Sequence, residues 1–514
     1  MQALDSDATK RAVLIASILG SGIVFLDQTI VNVALPSIRA SLNGSLAEQQ
    51  WVVEAYLLTL SSLLLLGGSL GDVLGRRRVF QAGLIGFGVC SVVCALAQSS
   101  EVLIVARGVQ GIAGALLVPS SLALILDTFQ AGERAAAIGT WTAWTGIATV
   151  IGPLGGGALV QAASWRWIFL INPIFVAIAV VMVRRLPADR RAPGRVDWGG
   201  GLLCVAGLGG TVFGLIEHSV YGWGDPRVFV PLIAGIGLLI TFLLWEARVP
   251  EPMIPLQLFA VRNFAVGNAT TLAMYGGLGV STFFLVVFLQ QVAGYTPLEA
   301  GLALLPITLV IFALSRRFGA LSDRIGPRLF MSGGPVLAGV GLLLLTRLDA
   351  HPDYLTTILP GVLVFALGLA ATVAPLTAAV LGSVDPGHSG LASGANNAVA
   401  RIAGLLAIAG VGAVVSATFA ARLDHTVAHD PLSRQARTAL HAARTRPLVT
   451  TPSEVPTADR PRVHTALVDA SVHAFRIGIG IAGLLVVLGG VVSLVGIENP
   501  RARRPAAAST ARRG

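Results

Sequence analysis

The sequence predicts an all-α polytopic membrane protein with fourteen crossings. Three observations carry that prediction: the composition, the spacing of apolar runs, and the side on which the basic residues fall. Of 514 residues, 54% are hydrophobic and only 12% are charged, against about 25% charged in a soluble domain. So little polar surface makes the bilayer the expected solvent. The net charge of +10 comes from arginine, since Lys10 is the one lysine. In a membrane protein such an excess reflects orientation, and no nucleic-acid partner is expected. Cys90, Cys94 and Cys204 all fall within apolar runs and read as packing residues, without a disulfide framework.

A membrane-crossing helix needs about 20 mostly apolar residues. Runs of that kind lie at 13–35, 51–71, 79–98, 102–126, 136–160, 166–184, 198–217, 228–246, 265–290, 300–315, 329–347, 355–381, 390–418 and 476–497. The tenth, 300–315, is the shortest of them. The first continues too far for a cleavable signal and carries Asp27. An even number of crossings puts both ends on one side. With the N-terminus in the cytoplasm, the inner segments collect 22 Lys and Arg residues, among them Arg76, Arg77, Arg78, Arg316, Arg317, Arg324 and Arg328. The short outer loops hold only Arg39, Arg166, Arg227 and Arg347. That asymmetry predicts cytoplasmic termini. A monomer is the expected state.

The segment 419–475 is polar, rich in Arg, His and Thr, and is expected outside as a long loop, partly helical or mobile. Its stretch "HTVAHD" places His425 and His429 four apart beside Asp430. We read them as loop residues in contact with solvent and expect no metal.

The chain repeats itself. "GSLGDVLGRRR" at 68–78 matches "GALSDRIGPRL" at 319–329, with Gly68, Leu70, Asp72, Gly75 and Arg77 answering Gly319, Leu321, Asp323, Gly326 and Arg328. Both copies fall between the second and third helices of a six-helix set. The domain reading follows: 1–185 is an N-terminal six-helix bundle and 186–250 an inserted helix pair. Residues 251–418 hold helices nine to thirteen, 419–475 the outer segment, and 476–514 the last helix with a basic tail. Repeated halves are the mark of secondary transporters, whose sites lie near the midplane between them.

These stretches carry a family resemblance. "GSLGDVLGRRR", "ARGVQGIAGA" (106–115), "GIATVIGPLGGG" (146–157), "LDQTIVNVALPSI" (26–38) and "WRWIFLINPI" (165–174) together resemble the motifs of the major facilitator superfamily. Within it they resemble the fourteen-helix drug:proton antiporters. One departure is Val73, where the motif usually has an arginine; the second copy keeps one, Arg324. The resemblance implies two six-helix bundles plus two inserted helices, in a bacterial plasma membrane. It also implies export of a small organic compound in exchange for protons, with no cofactor and no enzymatic activity. A nutrient or metabolite symporter of the same superfamily is the alternative, and a membrane enzyme or sensor a more distant one. We find no nucleophile–base set and no nucleotide-binding loop.

The residues themselves point to the same chemistry. A guanidinium at a bilayer centre costs about 2.5–3.5 kcal/mol or more, so Arg107 needs a reason. Arg107, Gln110, Gly111 and Gly114 follow i, i+3, i+4, i+7 spacing and share one face of the fourth helix. Asp27, on the oppositely directed first helix, falls in a similar layer of the outer half. We assign Asp27 as proton acceptor or substrate-cation site and Arg107 as the fixed charge that tunes it. Tentative substrate contacts are Asn32, Gln110, Trp141, Trp144, Glu54, Glu217 and Asn396, beside Asp27 itself; Glu54 and Glu217 read equally as interface residues. Tyr275, Phe283, Phe284, Gln290 and Arg401 are weaker candidates of the same kind. Gly68, Asp72, Gly75, Arg76 and Arg77, with Asp323, Arg324, Gly326 and Arg328, are expected to form a charged clasp at the inner gate. Pro153 is expected to kink the fifth helix, and Gly146, Gly152, Gly155, Gly156 and Gly157 to allow tight packing across the seam between the halves.

Overall fold

The computed structural model describes residues 2–183, 196–250, 252–385, 389–429, 433–444, 448 and 459–499. Among them the regular structure is entirely helical, and the order of elements is that of two related bundles. The first comprises α1 (Gln2–Leu42), α2 (Leu46–Leu74), α3 (Arg76–Leu96), α4 (Ser100–Thr128), α5 (Ala131–Ala162), α6 (Trp167–Leu170) and α7 (Asn172–Val183). An inserted pair follows, α8 (Trp198–Tyr221) and α9 (Pro226–Glu246). The second bundle holds α10 (Arg262–Val280), α11 (Val286–Gln291), α12 (Pro297–Ile325), α13 (Pro327–Leu344), α14 (Leu359–Gly382) and α15 (Ser389–His429). The small α16 (Arg434–Ala443) and then α17 (Arg460–Gly496) complete it. One π-helical turn, Ser281–Leu285, links α10 to α11.

Thirteen described helices are long and apolar enough to cross a membrane, and a fourteenth apolar stretch, Trp167–Val183, is shorter. The protein is therefore a multi-pass membrane protein. The crossing that falls short is the sixth. Its run 166–184 breaks at Ile171, before Asn172 and Pro173. Proline lacks an amide hydrogen and its ring collides with the preceding turn. The tenth run, by contrast, sits in a 29-residue helix that begins at a Thr296–Glu299 capping box and carries Arg316, Arg317 and Asp323 on its polar end.

The outer segment 419–475 is largely helical among its described residues. α15 continues to His429 and α17 starts at Arg460, so two helices project past the bilayer on the side opposite the termini, here the far side. The reason is an apolar stripe: Phe419 and Leu423 meet Leu440, Leu448, Val463 and Leu467, all buried in one cluster. Ion pairs Arg422–Asp469 (2.8 Å) and Arg444–Asp424 (2.6 Å) frame it. His425 lies on α15 and is exposed; Asp430 lies outside the described residues.

The repeat appears in the backbone. Gly75 ends α2 and opens α3 at φ 105°, and Gly326 ends α12 and opens α13 at φ 102°. Only glycine adopts that conformation without strain.

The halves touch on the far side. Gln290 Nε2 donates to Val33 O (2.9 Å), Arg39 Nη1 to Gln291 Oε1 (2.6 Å), and Gln50 Nε2 to Ile408 O (3.1 Å). A methyl group on Gly157 would stand 2.7 Å from Leu298 Cα, and one on Gly301 2.5 Å from Pro153 O. Toward the termini, α5 has drawn away: a methyl on Gly132, Gly139 or Gly146 would meet no atom within 4 Å. α2 and α15 stay in touch as far as Leu65 and Gly394. The molecule is thus closed on the far side and parted between α5 and α12 on the side of the termini.

Candidate functional site

Small residues bring the site together. On α4, Gly111 lies so close to α2 that a methyl would sit 2.4 Å from Tyr56 O and 2.1 Å from Thr59 Oγ1. This approach lets Arg107, one turn earlier, reach across α2. Its Nε donates to Val52 O (3.0 Å), and its guanidinium carbon lies 4.1 Å from the centre of the Tyr56 ring. A second ring, Phe169, stands 5.8 Å away. Aromatic faces stabilise a cation that lipid would not.

The same guanidinium forms an ion pair with Asp27 Oδ2 on α1. Sequence reasoning placed the two at one depth without claiming contact; the structure joins them directly. Arg107 is 1% exposed and Asp27 0%, so the pair faces neither lipid nor open water. Gln110 Nε2 and Asn172 Nδ2 each lie 3.4 Å from Asp27 Oδ1, and both donate to Ser91 Oγ, at 2.9 and 3.2 Å. Gln110 Oε1 accepts from Arg107 Nη1 (2.8 Å). α1, α2, α3, α4 and α7 therefore all contribute, every one from the first bundle. A buried pair with its remaining lone pairs engaged is the arrangement that tolerates low dielectric.

Sequence reasoning missed Ser91, Asn172 and Tyr56. Asn172 had a signal, since an amide sits beside a proline inside an apolar run. Ser91 had none, because serines are common on packed helix faces.

The other candidates fall in different places. Glu54 is 0% exposed, and neither carboxylate oxygen has a hydrogen-bond partner among the described residues. It is enclosed by protein, not exposed at the surface of the helix bundle. Glu217 is half-buried and accepts from Trp51 Nε1 (2.8 Å), tying α8 to α2. Asn32 is half-buried beside Gln28 and Thr29 on α1, with Oδ1 unpartnered. Trp141 is half-buried, and Trp144 is 55% exposed, away from the ion pair. Asn396 is held inside the second bundle, donating to Asn268 Oδ1 (3.1 Å) and Thr271 Oγ1 (2.8 Å). Phe283 and Phe284 are core residues, and Gln290 belongs to the far-side seam.

The expected clasp is present in one copy and stays within one half. Asp72 accepts from Arg76 Nε (3.0 Å) and Nη2 (2.9 Å), and Arg76 also pairs with Asp127 (2.6 Å) at the end of α4. The ion pairs of Arg76 therefore link α2, α3 and α4. Gly68 packs near Pro119 of α4, and Arg77 is half-buried. In the second copy Asp323 and Arg324 are exposed, while Arg328 donates from Nε to Leu494 O (2.8 Å) and from its amide to Asn499 Oδ1 (3.1 Å). On α5, Gly152 and Gly156 pack against Thr29 and Ile30 of α1, inside the first bundle, and Gly146 packs against nothing. Of the stretch 146–157, Gly157 and the Pro153 carbonyl lie at the seam, as expected, against Leu298 and Gly301.

Known proteins share this architecture. The sequence profile of the Major Facilitator Superfamily matches residues 17–408. The puromycin resistance protein pur8 of Streptomyces alboniger is 36% identical, covering 78% of this chain and 81% of the relative. The tetracenomycin C resistance and export protein of Streptomyces glaucescens is 34% identical, covering 78% and 75%. The multidrug resistance protein Stp of Mycobacterium tuberculosis (strain CDC 1551 / Oshkosh) is 35% identical, covering 83% and 80%. A bacterial homolog to the human lysosomal transporter Spinster, crystallised inward-facing and unoccupied, aligns with a TM-score of 0.68 at 18% identity, over 96% of this chain and 99% of that one. A duplicated helical bundle with an ion pair sealed in its first half and relatives of this kind lead to one conclusion: the chain belongs to the major facilitator superfamily and is a transporter, not an enzyme.

Proposed function

We propose that the protein exports a drug-like or antibiotic organic compound from a bacterial cell in exchange for protons. It does so by alternating access, as a monomer in the inner membrane with its termini in the cytoplasm. The lipid bilayer, the organic substrate and protons are its partners, and the proton gradient replaces any cofactor. The single observation that carries the coupling is the sealed Asp27–Arg107 pair. Asp27 can accept a proton and Arg107 cannot lose one. Protonation therefore changes the charge of the pocket from zero to one positive, a large event where charges are weakly screened. Glu54, buried without a hydrogen-bond partner, is a second acid in the same bundle and the better candidate for a cationic cargo or a second proton. In this reading Asp27 releases its proton to the cytoplasm in the conformation described above. The clasp of Asp72, Arg76 and Asp127 acts by holding three helices of the first bundle as one body.

Proteoliposomes with a pH-sensitive dye inside test the proposal. The panel is puromycin and tetracenomycin C, taken from the relatives. We expect drug to leave an acceptor compartment only as protons move the opposite way, with both fluxes lost in Asp27→Asn. Cargo and protons moving together would replace antiport by symport. Drug movement with no proton movement would end the coupling assignment.

A further inference from the structure

The inserted pair contributes nothing to the Asp27 pocket, yet its end on the side of the termini holds a buried acid. Glu246, the last residue of α9, is 2% exposed. Its Oε2 accepts from the amide of Ile254 (2.7 Å), and its Oε1 has no hydrogen-bond partner among the described residues. Asp197, which caps α8, stands beside it. Asp197 Oδ1 accepts from Gly200 N (2.9 Å) and from Trp245 Nε1 (3.1 Å). The two carboxylates crowd one point: a methyl on Gly200 would lie 2.4 Å from Asp197 Oδ2 and 2.8 Å from Glu246 Oε1.

No cation offsets them. Among the described residues no arginine or lysine pairs with either carboxylate. Arg248, two residues past Glu246, is exposed and turns back to Leu244 O (3.4 Å). From α8 the other titratable group is the buried thiol of Cys204. α2 reaches this corner with Ser62 beside Cys204 and Leu66 against Gly201, and α15 joins it through Leu405. Two carboxylates in such a place do not both ionise cheaply, and one proton between them turns the repulsion into a hydrogen bond.

The bond to Ile254 gives that proton a mechanical consequence. Ile254 packs on two clusters at once. One holds Cys204 and Phe242 of the inserted pair, Leu58 of α2 and Leu405 of α15; the other holds Phe264, Met331 and Leu376 of the second bundle. Leu258 and Phe259, in the short turn Leu256–Ala260 that leads to α10, rest on the second cluster as well. We propose that Asp197 and Glu246 hold one proton between them, and that this proton latches the linker 252–260 onto the inserted pair. When water on the side of the termini takes the proton, one carboxylate turns away, Glu246 lets go of Ile254, and the linker loosens from both clusters. The inference stands on this corner alone and does not rest on antiport.

Hydrogen–deuterium exchange of the full chain in lipid nanodiscs, read by mass spectrometry over 252–260, tests it. Rates are taken from pH 6 to pH 9 in chelator-treated, sodium-free buffer and corrected for the intrinsic effect of pH. Wild-type protection should fall as pH rises, by up to about tenfold per pH unit for one proton. Glu246→Gln keeps the volume and offers an amide hydrogen to Asp197, so its protection should stay high at every pH. Asp197→Asn should do the same from the other side, and Glu246→Ala should leave the linker unprotected throughout. Wild-type protection that ignores pH, or a pH response that survives in Glu246→Gln, would overturn the proposal. So would protection regained at pH 9 on adding sodium or magnesium, since a metal ion and not a proton would then join the acids. The stretch 338–344 of α13 should not respond; a parallel loss there would mark general loosening and sink the latch. No transport is read, so failure of antiport and failure of the latch are separate outcomes.

Discussion

The two bundles are copies in backbone and opposites in chemistry. Gly75 and Gly326 turn the chain in the same way, and Pro119 inside α4 has its counterpart in Pro375 inside α14. That register places Leu363 of α14 where α4 has Arg107. In the first bundle, glycines on α4 clear room for a guanidinium. In the second, they serve packing alone: a methyl on Gly341 would stand 2.3 Å from Phe365 N, and one on Gly368 2.2 Å from Ala338 N. Duplication supplied a symmetric frame able to rock. Putting the buried acids Asp27 and Glu54 in one bundle gives the motion something to sense, because a proton then changes the charge of one wall only.

The largest expected effect breaks the asymmetric side. Arg107→Ala leaves Asp27 buried and uncompensated, which should destabilise the protein by about 3–5 kcal/mol. Thermal unfolding in detergent should record it, together with loss of transport. Asp27→Asn keeps the volume and one of the two acceptor oxygens that Arg107, Gln110 and Asn172 address, so it should retain more stability than Arg107→Ala while losing proton-coupled flux just as fully. Leu363→Ala, at the equivalent place in the other bundle, should keep coupling intact. Equal losses of coupling at both positions would remove the contrast.

The next effect concerns how the site is made. Gly111→Ala drives a methyl into α2, and Gly146→Ala points one into open space. Overpacking a close helix contact costs about 1–3 kcal/mol. The open position should stay within about 0.5 kcal/mol. If Gly146→Ala stabilises the conformation described here and slows turnover, then α5 closes on that glycine in the other state. A cysteine accessibility scan along 132–146 would show whether those residues become protected when substrate is bound.

Much of this was legible in the sequence, and the failures have physical causes. Fourteen apolar runs, the sidedness of arginine and the repeated turn are one-dimensional patterns, and they gave the fold. The stripe Arg107, Gln110, Gly111, Gly114 gave the face of α4, because helical spacing fixes direction. What it could not give was the partner. Which helix meets which face is a property of packing, so the direct contact with Asp27 and the roles of Ser91 and Asn172 emerged only in three dimensions. At 419–475 the sequence left a partly helical and a mobile segment both open. Polar helices past a bilayer carry no hydropathy signal, and their small apolar stripe is diluted by Arg and His. The burial of Glu54 was not legible either, because a carboxylate near a helix end ordinarily reaches water; here α8 and α15 pack over that end of α2. Of the α5 glycines expected at the seam, Gly157 lies there while Gly152 and Gly156 pack on α1, since a small residue announces a close approach and does not say to whom.

The smallest expected effect tests the clasp, the one charged feature both copies were expected to share. Asp72→Asn removes an acceptor from Arg76, but Asp127 remains, and both carboxylates are about half exposed. Exposed pairs are worth about 0.2–1 kcal/mol each, so the stability change should be small and should shrink further in high salt. Asp323→Asn, at the matching position, has no such pair to lose and should change unfolding less still. Transport rate is the sharper measurement. If the clasp only holds α2, α3 and α4 together, Asp72→Asn and Asp127→Asn should slow turnover alike, and their effects should not add. If Asp72 instead finds a partner across the seam in the other conformation, Asp72→Asn alone should be severe, and Asp323→Asn should follow it. The double variant Asp72→Asn with Asp127→Asn separates the two cases, because an internal brace is lost once, whereas a brace and a gate are lost in sequence.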